Sequence, residues 1–584
     1  MKDWSELSDQ TRAIIAAALA LVVILGWGLF YKAPPPAPSE PAQTITQSAG
    51  TAVAPPAAPQ IAAAKPSGGA AAPSVATISA SAEQSVTIES DLYRVVLSNR
   101  GAVARSWQLK KYTDEHEPPR TLDLIQSDAS QAAGGWPFSL EMGDPQFQTA
   151  ANQGLYVLTQ SGGTPPGAIL NAPAEVEFRW SDGQLEVTKR WKFDRSYITQ
   201  LETSVRHNGL PVTHRVAWRG GFGDVTAFRA AIQTLAFSGS NGNMTPLTTK
   251  KLGASGQPNV PADQPGMFDA VGIEDLYFAA AFLPPDASQG QPTPNNLTFS
   301  AWQLTRNVQQ PDGKTQQDIL PEVAAGLAGT GPQALRVFVG PKDLDTLKGV
   351  RPPLNGLVQF GWFGFIAEPL FYSLRWMHSY VPNYGWDIVL ITLAINMLLY
   401  PLKVKSWRSM QRMQKAAPEI KQIQDRYKKY SMRDPRKQEM NKEVMAVYSR
   451  EGINPMGSCL PTVIQMPIWF GLYRMLTVTL ELRHAPWVGW IHDLAGRDPY
   501  YILPVVMALL MYGVTKMTPQ TITDPSQQRM MALMPLMFGG MFILFPVSSG
   551  LVLYILTSNL VAMVQQWHLN RSSPLKPPPK AKKK

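Results

Sequence analysis

Between two apolar runs near the C-terminus lies a dense basic segment, Lys403 to Arg450, with fourteen lysines and arginines against five acids. Basic loops beside apolar spans stay on the cytoplasmic side of a membrane, so this segment orients everything around it. Its apolar residues recur at helical spacing: Met413, Ile420, Ile423 and Tyr427, then Met440, Val444 and Val447. Asp434-Pro435 reads as an N-cap followed by proline at the first helical position. The segment 403–450 therefore predicts a cytoplasmic hairpin of two helices with a turn at 431–434.

The apolar runs complete a membrane topology. Ala13–Phe30, behind Lys2 and Arg12, is a retained anchor within 1–32; it is long for a signal core, and Tyr31-Lys32-Ala33-Pro34 makes a poor cleavage site. Five further spans are expected near 386–404, 455–476, 501–517, 530–545 and 550–566. The segment 361–381 carries charges among its apolar residues and predicts a helix lying in the interface. Six spans with an inside N-terminus put the region 83–350 outside and the Lys-rich tail, 570–584, inside. Clustering of Lys and Arg beside apolar spans explains the net charge of +10 better than nucleic-acid binding does.

The outside region divides in two. Residues 33–82 are rich in Pro, Ala, Ser, Gln and Thr, a disordered tether. Residues 83–350 show period-two alternation. Val176–Trp180 and Leu185–Val187 flank Ser181-Asp182-Gly183, a hairpin signal. Ser85–Ser90 and Leu92–Leu97 read as strands before a turn at Asn99-Arg100-Gly101. A large β-sandwich follows, built without disulfides because Cys459 is the chain's one cysteine. His207 and His214 are isolated, and Glu274-Asp275 reads as a solvated pair.

Polar residues inside spans are the candidate site, since each is costly in hydrocarbon. Thr392 and Asn396 share a helix face, as do Ser458 and Gln465, and Thr557-Ser558-Asn559 interrupts the last span. This spacing fits a hydrated cavity and simple interhelical bonding equally well. Arg474, near a helix end, is the only basic residue or acid placed well inside a span, which disfavours ion-coupled transport. No nucleotide loop, paired Cys/His spacing or catalytic constellation is visible, His492-Asp493 included, so no cofactor, metal or enzymatic chemistry is expected.

Many ordered strings resemble the YidC membrane protein insertase family of Gram-negative bacteria. They include Asn454-Pro-Met-Gly-Ser-Cys-Leu-Pro461, Ile464-Gln-Met-Pro-Ile468, Ala485-Pro-Trp487, Asp498-Pro-Tyr-Tyr-Ile-Leu-Pro504 and Gly550-Leu-Val-Leu-Tyr554. The match is dense over 360–570 and thin but collinear over 83–350. The resemblance implies a polytopic α-helical membrane protein of the bacterial inner membrane. Its five-helix insertase core (386–569) would sit beneath a periplasmic all-β supersandwich domain. It implies a hydrophilic groove open to cytoplasm and lipid, with Thr392, Asn396, Gln465 and Thr557 on its face. It also implies a substrate slide of Cys459, Pro461, Pro467, Trp469, Met541 and Phe542. Nascent membrane proteins, the Sec translocon, the ribosome and anionic lipids are the expected partners, and a monomer suffices. Ribosomes or nascent chains would meet Arg412, Lys415, Lys428, Lys429, Arg433, Arg436, Lys437, Lys582 and Lys583. Asn396 departs from the arginine most relatives carry there, so the groove is expected to be wet but not cationic.

Overall fold

The computed structural model of the chain describes residues 76–160, 167, 169–227, 235–240, 242–247, 252, 268–286, 297–309, 315–430, 434–453, 460–518, 525–544 and 547–572. The anchor run 13–30, Ser458, Cys459, Arg433, Lys582 and Lys583 lie outside these residues.

The alternating sequence folds into three sheets of five, ten and four strands. The hairpin read around Gly183 forms: Ala174–Ser181 pairs antiparallel with Leu185–Phe193, and Trp180 faces Val187. Asp182 closes the turn by accepting from the amides of Gln184 (2.9 Å) and Leu185 (2.7 Å), and Gly183 supplies a φ of +98°. Ser85–Glu89 likewise pairs with Tyr93–Ser98. After it, Gly101 takes φ +71°, with the Asn152 carbonyl oxygen 2.4 Å from where a Cβ would stand. A core of aromatic and branched residues fills the space between sheets, with Trp107, Trp191, Trp218 and Phe138 fully buried. The region is not purely β: two helices, α1 (Ser127–Ala132) and α2 (Pro145–Gln153), sit among the strands, and α3 (Leu344–Gly349) follows the last strand. Asp144 caps α2 and Asp343 caps α3. The expected tether ends earlier than 82. Ile78 exchanges backbone hydrogen bonds with Ser181, and the Ala80 amide donates to Leu155, because the sheet offers unpaired backbone there.

Glu274-Asp275 is not solvated. Both are buried: Glu274 pairs with Lys342 at 2.7 Å, while Asp275 accepts from the amides of Tyr277, Phe278 and Asp224.

Eight helices follow: α4 (Gly364–His378), α5 (Tyr384–Leu398), α6 (Tyr400–Arg426), α7 (Arg436–Arg450), α8 (Leu460–Val478), α9 (Ile502–Met517), α10 (Pro525–Leu544) and α11 (Ser549–Ser572). The span expected over 386–404 is broken. α5 and α6 meet at 55°, because Pro401 has no amide to continue the helical ladder and crowds the turn before it. Among the described residues no single helix is long and apolar enough to cross a membrane; the bent pair α5–α6 meets that test together.

A second core joins α4, α5, α8, α9 and α11 through Phe371, Leu374, Ile388, Ile391, Met475, Met507, Leu551 and Tyr554. α9 and α10 approach closely: a Cβ on Gly539 would meet Ala508 Cβ at 2.4 Å, the small-against-small contact of membrane helices. The far side of α10 presents Leu533, Met534, Met537 and Leu544 to the surroundings, with Leu544 81% exposed. An apolar face of that size implies a non-aqueous environment or a partner.

α6 and α7 form the basic hairpin. Ala416, Ile420, Ile423 and Val447 are buried between them, with Met413, Tyr427, Met440 and Val444 packed alongside. Asp434 Oδ1 accepts from the Arg436 amide at 3.0 Å, so the cap acts one residue before the helix proper. Arg426–Glu443 (2.7 Å) and Arg450–Glu419 (2.5 Å) cross the pair.

Candidate functional site

The helical core contains one polar knot among apolar surroundings. Asn383 starts α5 by accepting from the amides of Gly385 and Trp386. Two and three turns later Thr392 and Asn396 face inward, 0% and 1% exposed. Thr392 Oγ1 donates back to the Ile388 carbonyl at 2.6 Å. Asn396 Nδ2 donates to the Thr392 carbonyl (2.8 Å) and to Ser558 Oγ on α11 (3.4 Å). Gln565 Nε2, also on α11, donates to the Asn396 carbonyl at 3.3 Å.

Lys403, in the first turn of α6 beyond the 55° bend and seven residues from Asn396, completes the knot. Lys403 Nζ donates to Asn396 Oδ1 at 2.7 Å and to Gln565 Oε1 at 3.3 Å. A basic side chain thus stands at the knot, beside the Asn396 that replaces the expected arginine. Arg474 plays no part in it: Arg474 Nε donates to the Gln359 carbonyl at 2.9 Å, before α4. Sequence reading hid Lys403 inside the basic run. Its spacing of seven from Asn396, on the face of Thr392, was the available signal. Asp387 was also missed; it is fully buried and its Oδ2 lies 2.9 Å from His378 Nδ1.

The other expected residues fall in several places. Gln465 on α8 stands beside Tyr554 on α11, one turn from Ser558. Thr557 is buried, 5% exposed. Pro461 lies in the first turn of α8, and Pro467 lies within that helix. Trp469 packs against the second core and the ring of Phe470, 4.9 Å away. Met541 is 37% exposed, whereas Phe542 is 5% exposed and sits in the core beside Phe538. The two thus stand on different faces of α10, one toward the core and one toward the surroundings. On the hairpin, Arg412, Lys415, Lys428, Lys429 and Arg436 are exposed and Lys437 is half-buried. Lys429 and Arg436 both lie over the Tyr430 ring, at 5.3 and 4.4 Å.

The outer end of the core is fastened to the β region. Arg483, after α8, forms an ion pair with Asp224 at 2.5 Å, the side chains 4% and 2% exposed. It also donates to the Thr113 carbonyl at 2.6 Å.

The chain matches two family models: the YidC periplasmic domain over residues 85–373 and the 60Kd inner membrane protein over residues 376–576. It is 30% identical to a membrane protein insertase YidC of Syntrophus aciditrophicus, over 96% of this chain and 99% of that one. It is 31% identical to that of Geobacter metallireducens, over 96% and 98%. Among solved structures, an active YidC insertase with its first transmembrane domain resolved covers 85% of this chain and 95% of that one, at 16% identity and a TM-score of 0.35. Relatives this similar across their whole length, with the β region and the helical core each matched in order, place the chain in the YidC membrane protein insertase family.

Proposed function

We propose that this chain inserts nascent membrane proteins into the bacterial inner membrane through a groove centred on Thr392, Asn396, Lys403, Ser558 and Gln565. The observation that carries the reading is the charged knot itself. An ammonium and two side-chain amides converge among apolar helices, where a polar group costs several kcal/mol unless it has partners or water.

The driving force comes from the substrate. An apolar segment of ~20 residues gains roughly −6 to −12 kcal/mol on entering lipid, at about −0.3 to −0.6 kcal/mol per residue. The barrier is its polar flank, which must cross hydrocarbon. Asn396 and Gln565 offer that flank hydrogen bonds in place of water, and Lys403 attracts its acids. The surface that guides the segment includes Pro467, Trp469 and Met541. Six spans, both termini in the cytoplasm and a periplasmic β domain complete the arrangement, with the hairpin as receiver of ribosomes or anionic lipid. The protein works alone or with the Sec translocon, and a monomer suffices.

The test is reconstitution of the purified protein alone in liposomes, with a small two-span substrate and no ATP. Protease-protected product well above empty liposomes is expected, and it should disappear when Thr392 and Asn396 are both leucine. Unchanged product from that variant would defeat the groove reading and favour a scaffold.

A further inference from the structure

The joint between β domain and core holds a second constellation. Glu115 comes from the loop after strand Val103–Thr113, and His484 and Asp493 from the segment between α8 and α9. One donor atom from each lies within 4.8 Å of the other two. The imidazole is oriented from behind, since its Nδ1 is 3.1 Å from Thr113 Oγ1, which leaves Nε2 for another partner. Asp493 is fixed too: its Oδ1 accepts from the amides of His484 and Ala495, both at 2.9 Å, which leaves Oδ2. His484 takes φ +57°, an unusual backbone for a non-glycine residue. The neighbouring Arg483 has its charge met by Asp224 at 2.5 Å.

We propose that Glu115, His484 and Asp493 form a binding site for a divalent cation of the zinc type that pins the β domain to the outer loop of the core. One imidazole and two carboxylates suit a borderline ion, and a ligand histidine held through its other nitrogen is the usual arrangement. Donors at about 2.1 Å from zinc stand ~3.4 Å apart in a tetrahedron, so the three donor atoms, within 4.8 Å of one another, draw closer on binding. No local motif betrays the set, because its members come from two distant parts of the chain.

The experiment is calorimetric titration of the full-length, chelator-treated protein in detergent with zinc chloride, beside Glu115→Gln and His484→Asn. Asparagine tolerates the left-handed backbone, and Glu115 is exposed, so the Glu115 variant decides the matter if the other folds poorly. One binding event weakened tenfold or more in the variants is expected, together with a zinc-dependent rise in melting temperature that Glu115→Gln lacks. A wild type that binds no zinc, or variants that bind it as tightly, overturns the proposal.

Discussion

Lys403 Nζ lies 2.7 Å from Asn396 Oδ1, across the break between α5 and α6. On the proposed reading the positive charge of the groove comes from the start of α6 rather than from the centre of a helix. A lysine at this depth keeps its aliphatic stem in apolar surroundings while its head reaches polar partners.

Lys403→Met should lower insertion of a substrate with an acidic translocated flank by about 10- to 100-fold, the worth of one charge-assisted hydrogen bond of about 1.5–3 kcal/mol. Lys403→Arg should retain most activity. Protease protection in liposomes, compared between acidic and neutral flanks, checks both; an equal loss on both substrates would contradict the charge argument.

Asn396→Arg should destabilise the protein, because the new cation meets Lys403. Two like charges ~4 Å apart at an intermediate dielectric repel by about 4 kcal/mol. Adding Lys403→Met should restore the melting temperature measured in detergent. Failure of this second change to rescue would show that size, not charge, is limiting.

Arg483→Met leaves Asp224 as a buried, unpaired carboxylate and should cost about 3–5 kcal/mol. Replacing both residues with apolar ones should cost less. Denaturant unfolding of the single and double variants measures the difference.

Acid pH should affect the β domain through Asp275. Its carboxyl is pushed up to about 6 by burial, against the opposing pull of the Phe278, Asp224 and Tyr277 amides and the Lys342 charge. An acid held above its ordinary value of 3.8 binds its proton more tightly in the folded chain. Its contribution is therefore full below about pH 4, falls as pH rises to about 6, and stays constant beyond. Asp275→Asn should flatten that slope in melting temperatures taken from pH 4 to 7.

What the sequence made legible was local. The turn at Asp182-Gly183 and the cap at Asp434 rest on residues within a few positions of one another, and both form. The hairpin's apolar faces follow from helical period alone. What escaped was non-local. Glu274 looked solvated because Lys342, its partner, is remote in the chain. Lys403 looked like one more surface charge because it opens a run of fourteen basic residues. Phe542 and Met541 are adjacent in sequence, and only packing against α9 decides which one faces inward.

The proline at 401 has a consequence beyond geometry. It can donate no hydrogen to the carbonyl of Met397, and beside this break in the ladder Gln565 Nε2 from another helix donates to the carbonyl of Asn396. The main chain itself thus becomes part of the polar knot, as fixed oxygens that no proton can neutralise. On the proposed path a polar segment meets these acceptors at any pH, while the lysine beside them supplies the part that responds to ionic strength.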